Sequence, residues 1–171
     1  MAGGLTSLGS LRLQGNRLTR LPDSLGGLAA LTELIVSANE LAEVPDPVGG
    51  LTALRRLYLG INRLTRVPDS LGALGSLTSL VLEANRLTEL PDSLGGLTSL
   101  EHLLLRHNRL TRLPDSLGGL AALTELTLEG NPLTALPGSM AGLTALTRLR
   151  LDAHLLGDLP RFLRRRARTP R

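Results

Sequence analysis

The chain has 171 residues, and its composition, 42% hydrophobic but only 1% aromatic, predicts one core built from aliphatic side chains. With neither cysteine nor lysine, it has no disulfide, no thiolate ligand or nucleophile, and no P-loop or Schiff-base lysine. The net charge of +4 is uneven: residues 161–171 carry six arginines and no acid, so the 19 basic side chains fall to 13 against 15 acidic ones in residues 1–160.

Targeting and membrane signals are missing from the sequence. No apolar run reaches the length of about 18 residues that a membrane helix needs, and no charged segment leads into an apolar one at the N-terminus. The corresponding expectation is a cytoplasmic location without a membrane span.

A repeat with a period of 23 residues organises the chain. Residues 1–7 match the end of one repeat unit, because residues 3–7 resemble residues 95–99. Residues 8–163 hold seven units, of which the last is incomplete, and residues 164–171 form a basic tail. Such a period indicates a solenoid in which each unit buries its leucines against its neighbours.

Each unit predicts one short strand followed by one short helical turn. Two leucines spaced two residues apart, such as Leu11 and Leu13, suit a strand with one buried face. A segment such as PDSLGGL then places proline and aspartate where helices start, and its paired glycines keep the helix short. The predicted architecture is a stack of seven strands with short helices on the other side.

The unit reads LxxLxLxxNxLxxLPxxLxxLxx, which resembles the leucine-rich repeat family over residues 3 to 163. Its 23-residue LPxxLGxL form is similar to the class found in Ras-pathway scaffolds, scribble-type polarity proteins, plant intracellular Ras-group proteins and many bacterial proteins. The resemblance implies an α/β solenoid shaped as a horseshoe, with a parallel sheet on the concave side and short helical turns on the convex side.

One asparagine recurs at the same position of each unit, and His154 takes that position in the seventh. In the resembled family this amide forms a ladder that satisfies backbone groups in the turn after the strand. We therefore interpret the row as structural rather than as a binding site. Its members are Asn16, Asn39, Asn62, Asn85, Asn108 and Asn131.

The residues between the strand leucines are predicted to face the concave side, and the middle four of that column are apolar. An exposed apolar stripe with a polar rim is typical of interaction surfaces, and Tyr58 is the best single anchor. The alternative interpretation is that such residues merely suit strands. The predicted binding residues are Ile35, Arg56, Tyr58, Val81, Glu83, His102, Leu104 and Arg106.

Charged residues on the predicted convex edge of the solenoid are also patterned, in two rows. One row alternates in sign, and its members Arg20, Glu43, Arg66, Glu89 and Arg112 are predicted to stabilise the stack by about 1 kcal/mol or less per exposed pair. The other row consists of aspartates at the predicted helix starts: Asp23, Asp46, Asp69, Asp92 and Asp115.

The sequence predicts no catalytic residue, no metal site and no cofactor. His102 and His107 lie on neighbouring polar columns, but no carboxylate pair completes a ligand set around them. The predicted function is therefore a non-catalytic module that binds a protein or peptide on its concave face, as part of a larger signalling or sensing protein. The alternative is the substrate-recognition part of a ligase or kinase whose catalytic domain lies outside this chain.

The sequence allows two further partners and one further origin. The tail could contact nucleic acid or an anionic surface through Arg164, Arg165, Arg166 and Arg168, although a solvated chain end is the simpler interpretation. The unit at the N-terminus lacks a polar cap, which predicts end-to-end self-association. Near-identical units also suggest an engineered array, against which the irregular units at Leu31 and Leu146 count.

Overall fold

The computed structural model describes residues 6–168 of the chain. Its strands are β1 Ser10–Arg12, β2 Glu33–Ile35, β3 Arg56–Tyr58, β4 Ser79–Val81, β5 His102–Leu104, β6 Glu125–Thr127, β7 Arg148–Arg150 and β8 Ala167–Arg168. Its 3-10 helices are η1 Asp23–Gly27, η2 Asp46–Gly50, η3 Asp69–Ala73, η4 Asp92–Gly96, η5 Asp115–Gly119, η6 Gly138–Gly142 and η7 Ala153–Asp158, and helix α1 is Arg161–Arg164. Most of the partial unit predicted for residues 1–7 lies outside the described residues.

All eight strands form one parallel sheet in chain order, as the repeat predicts for a horseshoe-shaped solenoid. From β1 to β7, pairing shifts by 23 residues from each strand to the next, so Leu11 lies opposite Leu34 and Leu34 opposite Leu57. Because one register holds from β1 to β7, every position of the repeat becomes a straight column across the sheet. The predicted solenoid is confirmed.

The helical turns are 3-10 helices rather than α-helices. Helices η1 to η5 begin at the aspartate that follows proline, and that proline is extended, with φ between −73° and −70°. The aspartates occupy the first helical position as predicted, but no side-chain hydrogen bond caps these helices. Five residues fill little more than one turn, so the tighter geometry suits them.

The helices of neighbouring units stack closely, and glycine makes this approach possible. A β-carbon at Gly95 would lie 2.7 Å from the carbonyl oxygen of Ser116 in the next unit. Leucine fills the space between helix and sheet, and residues such as Leu57, Leu80 and Leu103 are 0% exposed. The core is therefore aliphatic and continuous along the array.

The predicted basic tail is folded as far as residue 168. Helix α1 packs Leu163 into the core, and β8 then returns to the sheet and pairs with β7, with Leu149 opposite Ala167. The repeat pattern did not predict this eighth strand, because Arg166 replaces the leucine that marks the unit. Within residues 6–168, no helix is long and apolar enough to cross a membrane.

Candidate functional site

The predicted apolar column lies in register across four neighbouring strands. Ile35 pairs with Tyr58, Tyr58 with Val81, and Val81 with Leu104. All four side chains are half-buried, whereas the leucines on either side of them in the strands are buried. At a strand spacing of about 4.8 Å, the stripe extends for about 14 Å across the concave face.

Beyond Leu104 the column turns polar. Thr127 on β6 is 6% exposed, and Arg150 on β7 is exposed. The Thr127 hydroxyl and the Oε2 atom of Glu129 are buried without a hydrogen-bond partner in the described part of the chain. The stripe therefore has a polar boundary at β6.

A charged cluster closes the other end of the stripe around Glu33, whose side chain is 7% exposed. Its Oε1 atom accepts hydrogen bonds from Ser10 Oγ at 3.0 Å and Arg12 Nε at 2.9 Å, and its Oε2 atom accepts one from Arg56 Nε at 2.8 Å. Burial raises the pKa of Glu33, but the hydrogen bonds from Ser10, Arg56 and Arg12 outweigh it, so the pKa lies below its ordinary value of 4.5. Arg56, predicted as a binding residue, is therefore held by Glu33.

The other polar residues of the predicted site are also paired with one another. Arg106 Nε donates to Glu83 Oε2 at 2.7 Å, and this bond raises the pKa of Arg106. His102 Nδ1 lies 3.3 Å from Glu125 Oε2, which also lies 3.7 Å from Arg148. The register thus brings all eight predicted residues onto one face, with the apolar side chains half-exposed and the charged ones in cross-strand pairs.

The asparagine row makes hydrogen bonds inside the turns. Asn85 Nδ2 donates to the carbonyls of Leu59 and Leu82 at 3.0 Å, and its Oδ1 accepts from the Leu64 amide at 3.0 Å. Four of the other five asparagines repeat this pattern, at Asn39, Asn62, Asn108 and Asn131. Among residues 6–168, Asn16 donates within its own turn, to the carbonyls of Leu13 and Gln14.

The seventh unit departs from the ladder. His154 Nε2 lies 2.8 Å from the Leu133 carbonyl. The Gly130 amide donates to Asp152 Oδ2 at 3.1 Å, whereas the amide at this position in other units donates to a backbone carbonyl of the next unit, as Ile61 does to Glu83. In the tail, Arg164 donates to the carbonyls of Leu159 and Gly157, and Arg166 donates to those of Thr144 and Leu146. Two of the four arginines predicted to meet a polyanion are therefore hydrogen-bonded within the protein.

Sequence reasoning missed one exposed apolar residue, Ile61, which is 58% exposed. It has a positive φ of 56°, a conformation that a β-branched residue rarely adopts. The sequence held a signal for it, because the same position is glycine or alanine in five of the other units and histidine in one: Gly15, Ala38, Ala84, Gly130, Ala153 and His107.

The described residues bring together no group of three or more His, Asp or Glu side chains that would hold a metal ion. The arrangement instead offers an apolar stripe between polar columns on a rigid sheet.

Comparison with known sequences agrees with this architecture. Two models of leucine-rich repeats match the chain, one at residues 76–133 and one at residues 7–28. The chain belongs to the leucine-rich repeat family. No curated protein sequence matches it.

Solved structures of leucine-rich repeat proteins are similar to this chain. A leucine-rich repeat protein from Leptospira interrogans is 33% identical over 88% of this chain and 44% of its own, with a TM-score of 0.72. An internalin from Listeria monocytogenes is 27% identical over 96% of this chain and 48% of its own, with a TM-score of 0.80. A plant peptide hormone receptor in complex with RGF2 is 29% identical over 86% of this chain and 25% of its own, also at 0.80. This chain spans less than half the length of each.

Proposed function

We propose that this leucine-rich repeat chain is a non-catalytic module that binds a protein or peptide segment on the concave face of its sheet. The observation that carries the proposal is the stripe of Ile35, Tyr58, Val81 and Leu104, which is apolar, half-exposed and continuous across β2 to β5. Exposed apolar area with a polar rim is the usual composition of an interface.

The pairing of the flanking charges supports the same proposal. Arg56 with Glu33 and Arg106 with Glu83 form cross-strand pairs, so the rim is fixed before a partner arrives. A fixed surface loses less conformational entropy on binding than one built from mobile side chains. The plant receptor that resembles this chain was solved in complex with RGF2, which supports a ligand-binding role for the array.

The test is a pull-down that compares wild type with the double variant Tyr58→Glu, Leu104→Glu. Two carboxylates on the stripe should abolish capture of the partner, because burying an unpaired charge in an interface is costly. The matched control is Thr65→Glu, Thr111→Glu, which adds the same charge at two exposed residues outside the sheet. Circular dichroism of all three proteins checks the fold, and equal capture by all three would contradict the concave-face proposal.

Other expectations from the sequence stay predictions. The substrate-recognition alternative uses the same face, so the same variants test it, and identification of the captured protein separates a scaffold from part of an enzyme. Membership of the 23-residue class, a signalling role and a cytoplasmic location are predicted from the sequence alone. Self-association through the N-terminal repeat would use Leu8, Leu11 and Leu13, which are partly buried.

A further inference from the structure

The turn that follows each strand requires a left-handed residue, and one unit meets this requirement at a cost. The position directly before each asparagine has φ between 53° and 69° in the six units that share it. Glycine occupies it in two units and alanine in two, but β3 is followed by Ile61. A β-branched side chain is strained there, and at 58% exposure Ile61 gains little packing to offset the strain.

Ile61 has a larger side chain than the residues at the same position in the neighbouring units. The residues at this position in the units on either side are Ala38 and Ala84, whose side chains are much smaller. It also follows Tyr58, the predicted anchor, by three residues at the carboxyl end of β3. A strained and exposed apolar residue next to an apolar stripe is a feature that binding would explain and folding does not.

The rim beside Ile61 is positively charged. Two residues beyond the strained position, the units carry a row of exposed arginines that is interrupted once by a half-buried acid: Arg17, Glu40, Arg63, Arg86 and Arg109. Arg63 pairs with Glu40 at 3.1 Å, while Arg86 and Arg109 form no ion pair with a described acidic residue. The next charged row, three residues further along each unit, alternates in sign, and there Arg112 lies 3.6 Å from Glu89.

We propose that Ile61 and this arginine row recognise an acidic segment of a partner protein that carries an apolar side chain. The proposal rests on the proposed function and names the chemistry of its partner. The apolar side chain packs on Ile61 and Tyr58, and the carboxylates face Arg63, Arg86 and Arg109. Those arginines span two unit spacings, about 10 Å, which corresponds to about three residues of extended chain, so the segment carries acids about three residues apart.

The first measurement concerns the free protein. Ile61→Gly and Ile61→Asn place residues that tolerate positive φ at this position, so both should raise the midpoint of thermal unfolding by about 2–4 °C. A lower midpoint for both variants would mean that Ile61 stabilises the fold through packing, and the proposal would be overturned.

The second measurement is a selection of binders from a random twelve-residue peptide library displayed on phage, with the wild-type chain immobilised. Enriched peptides should be acidic and should contain an apolar residue. Their affinity, measured by fluorescence anisotropy on the synthesised peptides, should fall about tenfold with Ile61→Gly, because burying one aliphatic side chain is worth at least that factor. The double variant Arg86→Gln, Arg109→Gln should also lower the affinity of these peptides, and added salt should lower their affinity for the wild-type chain.

The matched control is Arg20→Gln, Arg66→Gln, which removes the same charge from exposed residues of the alternating row, three positions further along each unit, and should leave affinity unchanged. Neutral or basic peptides, no enrichment, or equal affinity for Ile61→Gly would each overturn the proposal. Peptides that lose binding with Tyr58→Glu, Leu104→Glu but not with Ile61→Gly would overturn it while supporting the concave-face function. Peptides that bind every variant equally would contradict both.

Discussion

The two ends of the repeat array are closed in different ways. At the C-terminal end, Leu155, Leu159 and Leu163 are at most 2% exposed, because α1 and β8 complete the last unit. At the N-terminal end, Leu8 and Leu11 pack against the core but stay partly exposed. Stability in a solenoid is approximately a sum over units and their interfaces, so the end with less buried apolar surface should open first.

Polar contacts differ between the ends as much as packing does. At the C-terminal end, Arg164 and Arg166 donate to backbone carbonyls that the last unit would otherwise leave without donors. At the N-terminal end, β1 is joined to its neighbours by side chains of Ser10 and Arg12 that meet at Glu33. The C-terminal end is thus held by packing and by arginine side chains that donate to backbone carbonyls, whereas the N-terminal end adds a charged cluster to its backbone pairing with β2.

The largest effect is expected from a matched pair of core truncations. Leu11 and Leu149 occupy the same repeat position in β1 and β7, but only Leu149 is fully buried. Leu149→Ala should lower the free energy of unfolding by about 2–5 kcal/mol, and Leu11→Ala by about 1 kcal/mol. Urea unfolding measures both values, and equal losses would mean that the two ends are equally closed.

A second pair tests the asparagine row. Asn131 is 4% exposed and serves the carbonyls of Leu105 and Leu128 and the Leu110 amide. Asn131→Ala should cost about 1–3 kcal/mol, because it leaves these buried groups without partners. Asn16→Ala removes bonds to an exposed turn only, so a loss of about 0.5 kcal/mol or less is expected from urea unfolding. A larger loss at Asn16 would show that the first turn is better protected than its exposure indicates.

The repeat made most of the fold predictable, because a fixed period of 23 residues determines register, strand direction and core columns together. The eighth strand was not predictable in this way, since Arg166 takes the place of a leucine and uses its guanidinium rather than apolar packing. The 3-10 geometry likewise depends on how tightly units stack, which the pattern of proline and glycine does not specify.

The candidate site was predictable in part. The column from Ile35 to Leu104 follows from strand alternation alone, and the structure places it on one face. The role of Ile61 could not be predicted from strand alternation, because its exposure and its strain arise from a left-handed turn after the strand. The pairing of Arg56 with Glu33 also depends on side-chain conformation, which the spacing of 23 residues allows but does not require.

Low pH should destabilise the two ends of the array to different extents, because the charged cluster around Glu33 lies at the N-terminal end. The pKa of Glu33 in the folded chain is lowered, so the carboxylate stabilises the fold at pH values above its unfolded pKa. That contribution is lost as the pH falls through the lowered folded pKa. The difference in unfolding free energy between wild type and Glu33→Gln should therefore be largest near neutral pH and shrink as the pH falls through the lowered folded pKa of Glu33.

Hydrogen exchange then locates the effect along the array. The amides of Thr32 and Glu33, which donate to the Gly9 carbonyl directly before β1, should exchange faster in Glu33→Gln, while the Leu155 amide near the C-terminus should not change. Glu89→Gln is the control, because it removes one acid from an exposed pair of the alternating row. If exchange rises equally at both ends, the charged cluster stabilises the whole array, and the contrast between a packed end and a charged end is wrong.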